Sequence, residues 1–273
     1  MIECEIDNFD LGQICRSGQC FRMYPRGEGR YSLIAGRHYL ETEQRDGRTV
    51  FYCGQTEFEG FWEMYFDLKA DYISYMGKIA PDDCYLNAAA EFGSGIRILR
   101  QDLWEMIVSF LISQQNNILR IRRCIENICG SYGEKLVSVQ GEEYYAFPTP
   151  RALAVLDEDA LMACNLGYRS KYVVRAARSV AEGKCDLESI MRFPYLEARE
   201  ELLKLYGVGE KVADCICLFA LHHLEAFPVD THIRQAIEKH YGQGFPTDRY
   251  QGCQGVLQQY IFYFELAKGI QVK

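Results

Sequence analysis

Residues 202–234 form the segment that most constrains how this chain can fold. An apolar stretch leads into the tetrapeptide Y-G-V-G at 206–209, and a second apolar stretch with helical spacing follows it. Two glycines one residue apart permit a tight turn, because glycine takes left-handed backbone angles without steric cost. The segment therefore predicts two helices joined by a hairpin. Its exposed backbone N–H groups, at the start of the second helix, suit an anion such as phosphate.

Two charged residues follow the predicted turn. Lys211 lies in the first turn of the second helix, and Asp230, after Pro228 and Val229, is placed to cap another helix. The helix dipole and an apolar neighbourhood both disfavour a cation at Lys211, and they therefore favour the neutral amine, which is the nucleophilic form. The simpler alternative is an ordinary helical hairpin with a solvated lysine and a structural cap. That alternative is the better reading of the glycine turn taken alone.

The combined pattern L-Y-G-V-G-E-K-V-A-D-C, followed by P-V-D-T-H, resembles the helix-hairpin-helix motif of base-excision DNA glycosylases. It is most similar to the 8-oxoguanine branch of that family. The resemblance implies that Lys211 attacks C1′ of the damaged nucleoside and that Asp230 assists. It implies phosphate contacts at Gly207, Gly209, Val212 and His232. It also implies a structural K⁺ or Na⁺ on the carbonyls of Leu203, Leu205 and Val208.

Composition is that of an ordinary globular protein, with 273 residues, 48% hydrophobic and 25% charged. No run reaches the about 18–20 apolar residues that span a bilayer, so no membrane association is expected. The first residues, M-I-E-C-E-I-D, lack the basic and apolar regions of a signal peptide. We therefore expect an intracellular protein: cytoplasmic, or nuclear in a eukaryote.

The formal net charge of −8 argues against DNA binding by bulk electrostatics, although a local basic face is sufficient for phosphate contacts. Two candidate faces exist, and each could equally be a solvated helix surface: Arg120, Arg122 and Arg123; and Arg169, Lys171, Arg175 and Arg178.

Twelve cysteines are spread along the chain without any C-x-x-C pair. A zinc ribbon or an iron–sulfur cluster needs closely spaced cysteines, so the sequence predicts neither, and no catalytic metal is expected. In a reducing compartment most of these cysteines are expected to be small core residues.

Short segments rich in β-branched and aromatic residues occupy the first part of the chain, separated by turn signals such as Asp46-Gly47. Five strands are predicted: Glu3–Ile6, Phe21–Tyr24, Tyr31–Ile34, His38–Thr42 and Thr49–Cys53. From about Glu57 the apolar spacing becomes helical and remains so to the end. We therefore predict an α+β fold, with an antiparallel-sheet domain at 1–90 and an all-helical domain at 91–273.

The N-terminal run S-G-Q-C-F at 17–21 is by itself only a turn before a strand. It resembles the opening of the 8-oxoguanine glycosylases, in which the carbonyl at the Gly18 position accepts the N7–H of the oxidised base. Guanine has a lone pair at N7, so a buried carbonyl there would lose its partner at a cost of roughly 1–3 kcal/mol.

Four consecutive amide side chains, Q-Q-N-N at 114–117, stand between two predicted helices, where a simple junction would explain them. The resemblance implies instead that this loop enters the duplex and reads the estranged base. Asn117 and Arg120 match the family, whereas Gln115 stands where eukaryotic members have asparagine. Arg120 and Arg169 would both bond an orphaned cytosine, and Tyr168 would wedge into the stack. Without this context, 167–169 is a loop into a helix.

The aromatic run at 257–264 is predicted to be a buried helix. By resemblance, Gln258 reads the Watson–Crick edge of the flipped base and Phe262 stacks on its face, since positions four apart share one side of a helix. Cys215 would lie on the opposite face of the base. The alternatives are a core helix with one satisfied amide, or the polar role at the adjacent Gln259.

The function implied is a monomeric glycosylase and abasic-site lyase that excises 8-oxoguanine, opposite cytosine, from double-stranded DNA. The lysine would form a Schiff base, and β-elimination would follow. Two alternatives stay open at this stage: a glycosylase of the same superfamily for another damaged purine, and a non-catalytic DNA-binding module.

Overall fold

The computed structural model describes residues 1–271, with side chains described up to residue 268. Its first part is a five-stranded antiparallel sheet of order β1-β5-β4-β3-β2. The strands are β1 (Ile2–Cys4), β2 (Met23–Gly27), β3 (Arg30–Ala35), β4 (His38–Arg45) and β5 (Arg48–Phe51), and α1 (Leu11–Arg16) lies between the first two. The predicted sheet is confirmed, with shifted strand ends.

A two-residue turn joins β4 to β5, where Arg45 pairs with Arg48. Asp46 and Gly47 have φ angles of 50° and 78°. Left-handed angles at both central residues match the twist of the flanking strands, which is why Asp-Gly is favoured in such hairpins. The turn signal read from the sequence is therefore correct.

One face of the sheet packs against a helical segment that contains a π-helical turn. The segment consists of α2 (Gln55–Glu57), the π-helical turn Phe58–Trp62 and α3 (Glu63–Tyr65). Trp62, Phe51 and Phe66 are fully buried between the two layers. Aromatic burial on this scale dominates the stability of a core of this size.

Helices make up most of the remaining chain, which confirms the predicted fold class. They are α4 (Tyr72–Met76), α5 (Cys84–Phe92), α6 (Leu103–Ser113), α7 (Ile118–Tyr132), α8 (Pro150–Ala154), α9 (Glu158–Met162), α10 (Ser170–Ala181), α11 (Leu187–Ile190), α12 (Tyr195–Leu203), α13 (Glu210–Phe219), α14 (Thr231–His240) and α15 (Gln254–Gln271). Two 3₁₀ turns, Gly167–Arg169 and Thr247–Tyr250, stand among them. None of the helices described is long and apolar enough to cross a membrane.

The expectation of helices alone after residue 57 is wrong at one place. A two-stranded hairpin, β6 (Lys135–Val137) paired with β7 (Glu143–Tyr145), follows α7. Each strand has three residues, which is too short for an alternating pattern to stand out from the surrounding sequence.

Arg97, in the segment before α6, binds that segment to the N-terminal part. Its guanidinium is buried and donates to the carbonyls of Asp7 at 2.7 Å, Asn8 at 3.2 Å and Asp67 at 2.8 Å. Hydrogen bonds from a charged donor are stronger than neutral ones, so these contacts hold the segment before α6 against the loops that follow β1 and α3. The predicted domain division at 90/91 stays a prediction.

Candidate active site

A cavity of about 910 Å³ opens between the N-terminal part and the helices. Its walls come from the loop after α1, the α6–α7 junction, α13, the loop before α14, and α15. Eight residues singled out from the sequence line it together: Gly18, Asn117, Lys211, Cys215, Asp230, His232, Gln258 and Phe262. Side chains far apart in sequence therefore converge on one concave site.

The hairpin between α12 and α13 places Lys211 at the cavity. Gly207 has a φ of 93°, and a Cβ atom there would lie 2.6 Å from the ring of Tyr172. Glycine is therefore required at 207. At Gly209, by contrast, φ is −99°, so the expectation that both glycines provide left-handed angles is wrong for the second. Gly209 is instead the residue that caps α13, and Lys211 lies in the first turn of that helix.

Lys211 has an apolar environment on one side. Its Nζ lies 5.3 Å from the centroid of the Phe110 ring, in cation–π range, and the residue is half-buried. One turn further along α13, Cys215 is buried. Burial raises the pKa of the Cys215 thiol to about 11, and the nearby Lys211 opposes that rise. At neutral pH Cys215 is therefore an uncharged wall of the cavity beside the amine.

Asp230 both caps α14 and lines the cavity. Its Oδ1 accepts the Ile233 amide N–H at 2.8 Å, so the predicted cap is confirmed. In the described part of the chain Oδ2 has no hydrogen-bond partner. One carboxylate oxygen thus fixes the side chain, and the other is available to a substrate.

Two consecutive glutamines on α15 have different partners. Gln258 Nε2 donates to the Pro228 carbonyl at 3.0 Å, while its buried Oε1 has no partner among the residues described. Gln259 Nε2 donates to the Ser17 carbonyl at 2.5 Å. Both line the cavity, but only Gln258 has a buried atom left unpaired. An unpaired buried acceptor is costly, so a bound donor would relieve it.

Phe262 lies one turn after Gln258 on the same side of α15. Its ring is 6.0 Å from that of His232, at an interplanar angle of 83°. A Cβ atom on Gly18 would lie 3.0 Å from Phe262 Cε1, so any side chain at 18 would press on the ring. Gly18 and Phe262 therefore adjoin within the cavity.

The residues expected to read the opposite base lie outside this cavity, except Asn117, which caps α7 by accepting the Arg120 N–H at 2.9 Å. Gln115, Arg120 and Tyr168 are exposed, and Gln115 has a φ of 48°.

Arg169 is placed differently from the other members of that set, because only 3% of it is exposed. Its guanidinium donates to the carbonyls of Gln114 at 2.7 Å, Gln115 at 2.8 Å and Leu166 at 3.3 Å. Burial with three carbonyl partners was not expected from a loop position. The contacts join the two loops into one surface.

The residues expected to contact phosphate and a cation adjoin the same surface. Gln114 Nε2 donates to the Gly207 carbonyl at 3.0 Å, which links the hairpin to the amide-rich loop. The Leu205 carbonyl accepts the Val208 amide N–H at 3.0 Å. Gly207, Gly209, Val212, Leu203, Leu205 and Val208 do not line the cavity, whereas His232 is exposed at its edge.

Sequence reasoning missed several apolar residues of the wall. Phe110 and Phe219 stack with ring centroids 5.6 Å apart and both line the cavity, as do Phe21 and Ile121. Their helical spacing marks them as core residues, and a core position cannot be told from a cavity wall by periodicity.

Comparison with known families shows which family the chain belongs to. Residues 1–107 match the model of the 8-oxoguanine DNA glycosylase N-terminal domain, and residues 108–249 match that of the HhH-GPD superfamily of base excision DNA repair proteins. The second match covers more than half of the chain. The chain belongs to this superfamily. The resemblance drawn from the hairpin and the Pro-Val-Asp segment is thereby confirmed.

Individual members of the HhH-GPD superfamily align with most of the chain. An N-glycosylase/DNA lyase of Saccharomyces cerevisiae is 31% identical over 258 residues, covering 85% of this chain and 68% of the yeast protein. The structure of an 8-oxoguanine glycosylase/lyase from Clostridium acetobutylicum, in complex with DNA containing cytosine opposite 8-oxoG, has a TM-score of 0.91 and 36% identity. That match covers 96% of this chain and 93% of the clostridial one.

A 3-methyladenine DNA glycosylase from Archaeoglobus fulgidus has a TM-score of 0.75 at 18% identity, over 97% of this chain and 99% of its own. At this identity the likeness concerns the fold alone. Glycosylases named for different bases therefore share this architecture.

Proposed function

We propose that this HhH-GPD protein excises 8-oxoguanine from double-stranded DNA and then cleaves the strand at the abasic site. The observation that carries the proposal is the convergence of Lys211, Gly18 and the unpaired Gln258 Oε1 in one cavity. The amine supplies a nucleophile, and the two oxygens supply acceptors for a purine that carries extra N–H groups. The clostridial relative is an 8-oxoguanine glycosylase/lyase, and the yeast relative is an N-glycosylase/DNA lyase.

The damaged base leaves the duplex and enters the cavity, since a base inside the stack is inaccessible to the amine. Phe262 packs against its face, and Cys215 lies on the other side as a neutral thiol. Gln258 Oε1 accepts an N–H of the Watson–Crick edge. The Gly18 carbonyl accepts the N7–H, which guanine lacks, so the undamaged base would leave that carbonyl unpaired at roughly 1–3 kcal/mol.

Lys211 acts as the nucleophile through the lone pair of its side-chain nitrogen. Its nitrogen bonds to C1′ as the bond from C1′ to the base breaks, and the base departs with a proton. Opening of the C1′–O4′ bond, with O4′ taking up a proton from water, then gives the protonated Schiff base. Loss of a C2′ proton and cleavage of the C3′–O bond complete the β-elimination. The Asp230 carboxylate stabilises the positive charge that develops on the sugar.

The amide loop and the Gly-Tyr-Arg turn are proposed to read the opposite cytosine. Tyr168 is exposed and can enter the stack, and Gln115 and Arg120 are also exposed. Arg169 reaches the base with the guanidinium N–H groups that its three carbonyl contacts leave unused. Phosphates of the strand are proposed to lie on the amides of Gly207, Gly209 and Val212 and on His232.

A structural K⁺ or Na⁺ is proposed at the carbonyls of Leu203, Leu205 and Val208, which follow one another at the end of α12 and in the turn. Carbonyl oxygens are suitable ligands for hard cations. The twelve free cysteines support a reducing compartment, which we propose to be the one that holds DNA: the cytoplasm, or the nucleus in a eukaryote. We further propose that the protein acts as a monomer.

Borohydride trapping tests the proposal, because it converts a Schiff base into a stable protein–DNA adduct. Duplexes carrying 8-oxoguanine or an alkylated purine are incubated with the wild type and with Lys211→Gln. We expect an adduct only with 8-oxoguanine and only in the wild type. Trapping on the alkylated purine would favour the alternative substrate, and binding without any adduct would favour a non-catalytic DNA-binding module. An undiminished adduct with Lys211→Gln would exclude Lys211 as the nucleophile.

A further inference from the structure

The two carbonyls that flank Gly18 in sequence are each held by a buried glutamine. Gln259 Nε2 donates to the Ser17 carbonyl at 2.5 Å, and Gln101 Nε2 donates to the Gln19 carbonyl at 2.9 Å. Across the described chain, the carbonyl of Gly18 itself has no hydrogen-bond partner. The loop thus leaves one acceptor unpaired at the position proposed to read N7–H.

The remaining contacts of this loop come from the N-terminal part and the segment before α6. Ser17 Oγ donates to the Ile14 carbonyl at 2.8 Å and accepts from Gln19 Nε2 at 3.0 Å. Gln19 Nε2 also donates to the Arg97 carbonyl at 2.9 Å. Gln259 is different, because it lies on α15, the helix that carries Gln258 and Phe262.

The contact from α15 bears directly on the direction of the Gly18 carbonyl. The Gly18 carbonyl lies in the planar Gly18–Gln19 peptide. The direction of this peptide relative to the Ser17–Gly18 peptide is set by the φ and ψ angles of Gly18. Gly18 has a φ of 76°, and a glycine explores such angles freely unless the adjacent peptides are held. A hydrogen bond weakens steeply when its angle falls below about 120°, so a freely rotating carbonyl would accept the N7–H poorly.

We propose that Gln259 is a positioning residue for lesion recognition: its buried carboxamide holds the Ser17–Gly18 peptide so that the Gly18 carbonyl meets the N7–H of 8-oxoguanine. The two adjacent glutamines then have different roles. Gln258 contacts the base with its free Oε1, and Gln259 acts through the main chain of a loop that is distant in sequence. This inference rests on the proposed function, in particular on the role of Gly18.

The test is a double-mutant cycle between protein and base, measured as equilibrium binding in the Lys211→Gln background so that no turnover occurs. The duplexes contain 8-oxoguanine or 8-oxo-7-deazaguanine, which has a CH₂ group in place of N7–H. Adding Gln259→Leu is expected to weaken binding of 8-oxoguanine about tenfold and binding of the analogue less than about twofold, since only the first makes the positioned hydrogen bond. Gln254→Leu is the matched control, because Gln254 is a buried glutamine on the same helix whose Oε1 accepts only the Cys253 amide N–H.

The outcomes separate this inference from the proposed function. If the Lys211→Gln protein with Gln259 intact binds both duplexes equally, the N7 reading by Gly18 fails. If it distinguishes them but Gln259→Leu weakens both equally, Gln259 is merely structural and the inference is overturned. The inference would also be overturned if Gln259→Leu and Gln254→Leu reduced the preference for 8-oxoguanine over the analogue equally.

A second variant covers the case in which Gln259→Leu does not fold. In Gln259→Glu a protonated carboxyl can donate to the Ser17 carbonyl, whereas an ionised one repels it. We expect this variant to prefer 8-oxoguanine over the analogue at acidic pH and to lose that preference as pH rises. A preference that does not change with pH in Gln259→Glu, under conditions where its folding is verified by thermal melting, contradicts the positioning role.

Discussion

Arg22, which precedes β2, and Glu105 on α6 form a buried ion pair that joins the N-terminal part to the helices. Arg22 Nη1 lies 3.7 Å from Glu105 Oε2, and both side chains are less than a tenth exposed. Arg22 also donates to the carbonyl of Tyr145 in β7. Two opposing effects act on the carboxyl: burial disfavours its ionised form, and the guanidinium favours it.

Burial dominates, and the pKa of Glu105 is raised to about 7. Between the ordinary carboxyl pKa and pH 7 the folded protein therefore holds a proton that the unfolded chain has released. The contribution of this group to the free energy of unfolding consequently falls as pH rises through that window, by on the order of 1–3 kcal/mol, and is constant above it. Glu105→Gln replaces the carboxyl with a neutral isostere, so its free energy of unfolding should fall less over the same pH range.

Urea unfolding of both proteins between pH 4.5 and 8 measures this difference. We expect the wild type to lose stability relative to Glu105→Gln as pH rises. The opposite trend, in which the wild type gains stability, would show that Arg22 outweighs burial.

Two variants of Asp230 separate its role as the helix cap of α14 from its proposed role in base excision. Asparagine caps helices as well as aspartate does. The free energy of unfolding of Asp230→Asn should therefore be within about 0.5 kcal/mol of the wild-type value, whereas that of Asp230→Ala should be lower by about 1 kcal/mol. Both should excise the base more slowly, by on the order of 100-fold, because both remove the charge. Single-turnover rates and thermal melting test this. Wild-type rates in Asp230→Asn would reduce Asp230 to a helix cap.

The hairpin glycines should differ in their tolerance of alanine. Gly207→Ala places a Cβ atom 2.6 Å from the Tyr172 ring at a residue with left-handed backbone angles. We expect this variant to lower the free energy of unfolding by roughly 2 kcal/mol or more. Gly209→Ala is the control, since nothing lies within 4 Å of its Cβ position and its φ is negative, and it should lose less than about 1 kcal/mol. Equal losses in urea unfolding would contradict the difference in packing.

Cys215 should be inert toward alkylation although it lines the cavity. Its thiol is buried and its pKa is raised to about 11, mainly by burial, so little thiolate forms at neutral pH. Cys84 is exposed and provides the internal comparison. Peptide mapping after iodoacetamide treatment at pH 7.5 should find Cys84 labelled before Cys215. Early labelling of Cys215 would show that the amine beside it generates a thiolate.

Features with a local signal were predicted correctly. The hairpin turn, the cap at Asp230 and the Asp46-Gly47 turn each depend on a few adjacent residues, and each is found in the structure. The predicted helix at 257–264 is present within α15, and the family motif placed Gln258 and Phe262 in the cavity.

Features that depend on distant contacts were not accessible from the sequence. The burial of Arg169 results from carbonyls of a loop more than fifty residues away, and the partner of Gln259 is 242 positions distant. The adjacent glutamines look alike in the sequence, since helical spacing alone does not say which amide finds a partner. The short strands β6 and β7 are stabilised by their mutual pairing, which has no local pattern of its own.

The central claim is that the amine of Lys211 forms the bond to the sugar. The most direct measurement is to reduce the complex with borohydride, digest the adduct and locate the sugar remnant by mass spectrometry. We predict that the remnant is on the peptide that contains Lys211, at its side-chain nitrogen. A remnant on any other amine, whether another lysine or the terminal amine of Met1, would contradict the account.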